Sequence, residues 1–239
     1  MTDKNTTTNL MSPKGKLKWP KIKEPDYGTD KFPDPNGSYR TKIVFDRKDP
    51  TVDAFLKKID KAMEQARELA EERLAELSTK ARRKIEEDGG IKADPPYSDE
   101  YDKDDEPTGN IEMQVKRKAS GISKKTGKPW KATVPVFDAK GKKMRHVPDI
   151  WGGSVARLGI ELRPYFVEGT GRFGVQRSLD VVKLISLVQG GDSASKYDME
   201  EEDGYDGDDY DYEAEQSRDE TSDDTDADAG EGTEGGYNF

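Results

Sequence analysis

The chain has 239 residues, of which 31% are hydrophobic and 38% charged, with a formal net charge of −10, no cysteine and one histidine. This composition excludes two full hydrophobic cores, disulfides and thiolate chemistry, and a lone His146 argues against histidine triads and multi-histidine metal centres. The charge is divided. Residues 192–239 hold twenty Asp and Glu against Lys196 and Arg218, a formal −18, so the first 191 residues carry +8.

In chain order, residues 1–24 are polar and then basic, with Lys14, Lys16, Lys18, Lys21 and Lys23 around Trp19. They read as a flexible arm, either solvated or laid along a phosphate backbone. No apolar stretch suits a signal peptide or a membrane span, so a cytoplasmic protein without membrane contact is expected. Residues 25–37 are turn-rich, and 38–45 alternate as a strand. Asp49-Pro50 then starts a helix, aspartate as cap and proline in the first turn. Apolar residues from Val52 to Ile85 keep close to a 3.6 period until Gly89-Gly90, predicting one helix over 50–88 of roughly 55 Å.

Residues 94–106 carry seven acids against Lys103 and are expected to be a disordered acidic loop. Short strands follow at 111–119, 131–137, 155–166 and 173–188, joined by Gly-containing turns such as Lys125-Thr126-Gly127-Lys128. A mainly β domain over 25–191 results: one strand, a helix, then four strands, a pattern that a five-stranded barrel satisfies. The 192–239 tail is too charged to bury a core and should stay disordered.

Between Ile111 and Arg145 eleven Lys and Arg face only Glu112 and Asp138. They include Lys116, Lys118, Lys124, Lys125 and Lys131. Rings are interleaved: Tyr39 beside Arg40, Trp130 beside Lys131, and Tyr165 after Arg157 and Arg163. Clustered cations point to a polyanion, and exposed rings favour unpaired bases, because stacking contributes about 1–3 kcal/mol per base and tolerates any sequence. The −18 tail would then compete for the same surface. Enzyme readings are weak, since most carboxylates lie where nothing holds them rigidly. The strongest is a metal-dependent nuclease on Asp138, Asp149 and Glu161. Residues 202–213 match a calcium loop poorly, and Gly169-Thr170-Gly171-Arg172-Phe173-Gly174 lies in a hairpin, where a dinucleotide fingerprint has no helix to lead into. No cofactor is expected.

Several motifs in order carry a resemblance: Pro25-Asp26-Tyr27-Gly28, Asn36-Gly37 with Tyr39, Lys48-Asp49-Pro50, Asp138 through Lys140-Gly141-Lys142-Lys143-Met144 to Val147-Pro148, Gly152-Gly153-Ser154, Pro164-Tyr165, and an acidic tail ending in Phe239. Together they resemble the replication single-stranded-DNA-binding proteins of T-seven-like, short-tailed bacteriophages. The resemblance implies an OB-fold barrel with a helix inserted after the first strand, a homodimer in the bacterial host cytoplasm, no enzymatic activity, and annealing of complementary strands. It implies a stacking role for Tyr165 and DNA contacts at Arg157 and Lys116. It also implies that the tail, through Glu231, Glu234, Tyr237 and Phe239, contacts the phage DNA polymerase and primase–helicase. Asn36, Lys118 and Gly159 depart from the family pattern, and Trp130 could supply a stack that Lys118 cannot. The rival reading is a general RNA- or duplex-binding protein braked by its tail.

Overall fold

The computed structural model describes residues 7–188. The acidic tail, with Glu231, Glu234, Tyr237 and Phe239, lies outside the described residues. The elements are β1 (Thr8–Met11), β2 (Gly15–Thr29), β3 (Phe32–Phe45), α1 (Pro50–Glu76), α2 (Thr79–Glu87), β4 (Lys92–Ala93), β5 (Ser98–Tyr101), β6 (Pro107–Lys118), β7 (Ser120–Ile122), β8 (Pro129–Lys131), β9 (Val136–Phe137), β10 (Val155–Val167) and β11 (Arg172–Ser186). Nine strands form one mixed sheet in the order β4-β11-β10-β2-β3-β6-β5, with β1 added on β10 and β9 on β11. β4 and β9 run parallel to β11, and the other pairings are antiparallel. β7 and β8 form a separate hairpin.

Three strands precede the helix, so its expected place after the first strand is wrong. The residues expected to be an arm make β1 and the start of β2. Their lysines alternate with apolar side chains: Leu17 and Ile22 are buried while Lys16, Lys21 and Lys23 stay in solvent. That is the pattern of a half-buried strand. Leu17 and Ile22 are five residues apart, however, an odd spacing that would place them on opposite faces of a regular strand. A bulge absorbs the extra residue. Lys18 pairs with Lys42 and Lys21 with Arg40, so three steps on β2 match two on β3. Trp19 occupies the bulge at φ +47°, where a non-glycine residue costs about 1 kcal/mol.

The central strands obey the same alternation. On β3, Tyr39, Thr41, Ile43 and Phe45 point inward while Arg40 and Lys42 point outward. On β6, Ile111, Met113 and Val115 point inward while Gln114, Lys116 and Lys118 point outward. The inward residues join Leu158, Ile160 and Leu162 of β10 and Val182 of β11 in one core. Among the described residues no hydrogen-bonded ladder joins β6 to β11, so the sheet is not a closed barrel. The two strands nonetheless lie side by side. Arg117 of β6 spans the gap, donating to the Leu179 carbonyl (3.3 Å) and the Asp180 carboxylate (2.8 Å). Asp180 can do this because a bulge leaves it out of register with β10.

Asp49 caps α1 by accepting the Thr51 N–H (2.8 Å), with Pro50 in the first turn as expected. Val52, Phe55, Ile59, Ala62, Ala66 and Ala70 form its buried stripe against β10 and β11. The single helix predicted to residue 88 breaks at Leu77. Ser78 takes a non-helical conformation and caps a second helix by accepting the Ala81 N–H, the competition that serine offers a helix interior. α2 brings Ile85 onto Gly171, where a Cβ would fall 2.7 Å from the isoleucine Cγ2.

The acidic segment is partly structured as well, because Glu100 on β5 is neutralised and hydrogen-bonded. It accepts from Thr108 Oγ1 (2.7 Å), Asn110 Nδ2 (2.9 Å) and Lys18 Nζ (2.5 Å). Burial alone would raise this carboxyl, but those bonds and the Lys18 charge outweigh it and hold the pKa at about 2 against an ordinary 4.5. A depressed carboxylate stabilises the fold above its unfolded pKa and loses that contribution as pH falls through the folded one. The shift amounts to at most about 3 kcal/mol, present near neutrality and lost between about pH 4.5 and 2. Glu100→Gln should therefore be less stable at pH 7 and lose stability less steeply over that interval. Urea unfolding across the pH series reads this out, and parallel declines in both proteins would contradict it.

Candidate nucleic-acid interface

The outward residues of β2, β3 and β6 fall into registered rows. Lys18, Lys42 and Gln114 stand opposite one another, and the next row is Lys21, Arg40 and Lys116. Beyond them Asp26 and Lys118 pair on either side of Ser38, which is itself buried. Because side chains directly opposite on one face are about 5 Å apart, the rows build a continuous cationic strip. Three shallow concavities follow it. One is lined by Lys18, Trp19, Lys21, Arg40 and Lys42; the second by Lys31, Phe32, Asp34, Arg40 and Lys116; the third by Lys116, Lys118, Tyr165, Gln176 and Arg177. The first and second share Arg40, the second and third Lys116, and the first and third Gln114.

Most cations of the strip already hold a carboxylate. Lys116 reaches Asp34 (3.1 Å), Lys42 reaches Glu112 (2.5 Å), and Arg40 pairs with Asp26. The Asp34 carboxyl is held below its ordinary value by the Lys116 hydrogen bond. The side chains of Lys116 and Arg40 remain 49% and 46% exposed. Pairs this open contribute about 0–1 kcal/mol, so a phosphate can exchange for the carboxylate with little loss.

Tyr165 lines the third concavity with its ring against Gly174, where a Cβ would come within 3.1 Å of the ring carbon Cζ. Its hydroxyl donates to Asp94 Oδ2 (2.6 Å). Burial, then that hydrogen bond, pushes the phenol up to about 12, so it stays a protonated donor in ordinary buffers. Arg172 Nε donates to the other Asp94 oxygen (2.7 Å) and, ahead of Tyr165, holds that carboxyl below its ordinary value. The half-buried ring is thereby fixed in orientation at the groove wall.

The other residues singled out from sequence divide. Lys116, Lys118, Arg40 and Tyr165 come together on the strip. Lys124, Lys125, Trp130 and Lys131 sit on the β7–β8 hairpin, exposed, with the indole lying over Gly121. The hairpin is tied to the start of β3, where Ala119 N–H donates to the Gly37 carbonyl (2.9 Å) and Ser120 Oγ to the Asn36 carbonyl (2.8 Å). Arg157 stands apart. It lies eight residues from Tyr165 on β10, about 26 Å, close enough to Asp49 at the start of α1 for its charge to act on that carboxyl. Tyr39 is a correction: it is 5% exposed and belongs to the core, so its ring is not open for stacking. Neighbours on a strand face opposite ways, and placing Arg40 in solvent puts Tyr39 inside.

Sequence reasoning passed over Lys42 and placed Lys18, Lys21 and Trp19 on a flexible arm rather than on the sheet; Trp19 is 71% exposed with Lys42 Nζ 5.5 Å from its ring centre. The carboxylates of the nuclease reading are not assembled. Asp138 accepts the N–H groups of Lys140 and Lys142, Asp149 pairs with Lys23 and Glu161 with Arg163. No group of three His, Cys, Asp or Glu able to hold a metal occurs among the described residues.

Comparison with known proteins places the chain. The family model described as single-stranded DNA-binding protein, bacteriophage T7, matches residues 15–187. The single-stranded DNA-binding protein of Escherichia phage T7 is 33% identical over 188 residues, 77% of this chain and 78% of its own. Its counterpart in Enterobacteria phage T3 is 31% identical over 186 residues with the same coverage. The crystal structure of gp2.5, a single-stranded DNA binding protein encoded by bacteriophage T7, superposes with a TM-score of 0.56 at 27% identity, covering 84% of this chain and 98% of that one.

Proposed function

This chain belongs to the T7-type phage single-stranded-DNA-binding protein family, and on that premise we propose that it holds single-stranded DNA across the outward face of β2, β3 and β6. It binds single-stranded DNA in phage replication and recombination, and it is not an enzyme. The observation that carries the site is the registered strip Lys21–Arg40–Lys116 with Lys118 beside it, ending at the fixed ring of Tyr165. Phosphates exchange with the surface carboxylates along the strip, and an unpaired base stacks on Tyr165, without sequence preference. The open sheet, its β6–β11 gap bridged by Arg117, serves as an OB-type barrel. The β7–β8 hairpin, with Trp130, Lys131, Lys124 and Lys125, extends the track, and Arg157 is an outlying contact reached only by longer strands.

The test is a comparison of a labelled oligonucleotide with its matching duplex at one salt concentration. A clear preference for the single strand supports the reading; equal binding would favour the general RNA- or duplex-binding alternative.

The family resemblance and the charge division of the sequence support further parts of the proposal. The protein acts as a homodimer in the host cytoplasm and anneals complementary strands. Its acidic residues 192–239 compete with DNA for the body's cations, and Glu231, Glu234, Tyr237 and Phe239 contact the phage DNA polymerase and primase–helicase. A competitor on the same molecule acts at high effective concentration. Deleting 192–239 should therefore tighten single-strand binding, most at low salt, where the Debye length is long. The same deletion should abolish capture by immobilised polymerase. Unchanged affinity at low salt would show that the tail does not compete.

A further inference from the structure

We propose that Trp19 is a second base-stacking platform, at the opposite end of the strip from Tyr165. The proposal rests on the single-stranded-DNA reading above and extends it. The spacing of Leu17 and Ile22 demands a bulge between them, but it does not demand a tryptophan. A positive φ favours glycine or asparagine, which bear it with the least strain. The largest side chain instead stands at φ +47° with 71% of its surface in solvent. Folding gains little from a ring so placed, and a strained, exposed position on a binding face is where function is to be sought.

The surroundings specify the ligand. Lys18, Lys21, Arg40 and Lys42 line the concavity beside the indole, and Lys42 Nζ lies 5.5 Å from the ring centre. Phosphates bound by these cations would run along the strip and bring their bases to the indole face. An unpaired base can stack there, whereas a base inside a duplex cannot. The shared Gln114 and Arg40 make the Trp19 concavity continuous with the groove of Tyr165. A strand would then cross β6, β3 and β2 with a ring at each end.

The test uses Trp19→Gly and Trp19→Phe in the full chain, with affinity for a labelled oligo-dT, its salt dependence, and the thermal midpoint measured for each. Glycine suits the backbone, so Trp19→Gly should keep or raise the midpoint while weakening oligo-dT binding roughly 5- to 150-fold, the range of one lost base stack. The log–log salt slope should not change, because no phosphate contact is removed. Trp19→Phe should retain most of the affinity, and binding to a duplex should be insensitive to either change. Affinity of Trp19→Gly within twofold of the unmodified protein would overturn the proposal. So would a loss that tracks a lowered midpoint, which marks a structural role, or one that flattens the slope, which marks disruption of Lys42. If the unmodified protein fails to bind oligo-dT, the functional reading itself fails, an outcome distinct from these.

Discussion

Replacing Lys116 and Lys118 together by alanine should weaken single-strand binding roughly 10- to 100-fold at low salt and flatten its log–log salt slope by about 1.4. Each phosphate contact on a single strand contributes a slope near −0.7, and the two lysines sit in adjacent rows of the strip beside Tyr165. The stability of the fold should change little, because both side chains are exposed and the Lys116–Asp34 pair is a surface one. Asp34 loses its partner in the variant and adds a free negative charge to the strip, so the loss of affinity exceeds that from two missing contacts alone. Arg157→Ala is the internal comparison. At about 26 Å along β10 from Tyr165, it should leave binding to a short oligonucleotide nearly intact. Oligonucleotide titrations at several salt concentrations measure both. Equal losses at Arg157 and at the lysine pair would place the track elsewhere.

Tyr39→Ala should cost about 3–5 kcal/mol of stability, the range for deleting a large aromatic from a core. The side chain is 5% exposed, packed among the inward residues of β3, and opposite Arg117, which bridges to β11. Burial raises its phenol pKa, as expected of a ring without free access to water. Losing it removes core volume beneath the bridge that stands in for barrel closure, so the β6–β11 contact should loosen too. Tyr39→Phe keeps the ring and should cost far less. Denaturant unfolding separates the two variants. A Tyr39→Ala protein of normal stability but impaired DNA binding would return Tyr39 to the interface.

The contrast between Tyr39 and Arg40 shows how much of the site was legible. On a regular stretch of strand adjacent residues face opposite ways, so the ring beside Arg40 lies on the other side of the sheet. Tyr165, Lys116 and Lys118 were reached through the cation cluster, the interleaved rings and the family resemblance, and the fold brings all three to one concavity. Lys42 was not reached, because its role comes from standing opposite Lys18 and Gln114, and register across three strands is a long-range property. The strand in 15–29 was hidden by its lysines, although the buried Leu17 and Ile22 at odd spacing signal both a strand and its bulge. The helix start at Asp49-Pro50 was local chemistry and could be read. The break at Ser78 was also local, but the apolar period running past it masked it. Nothing in the chain around Asp94 announces that its carboxylate will hold Tyr165 and Arg172, which come from strands 71 and 78 residues further on.

Photo-crosslinking with an oligonucleotide carrying iodouracil at every second position, followed by identification of the modified peptides, tests the path of the strand most directly. Crosslinks at Tyr165 and Trp19, lost together when Lys116 and Lys118 are replaced, are the result predicted for a strand crossing β6, β3 and β2. Crosslinks confined to the β10 segment around Arg157, with Tyr165 and Trp19 unmodified, would contradict it.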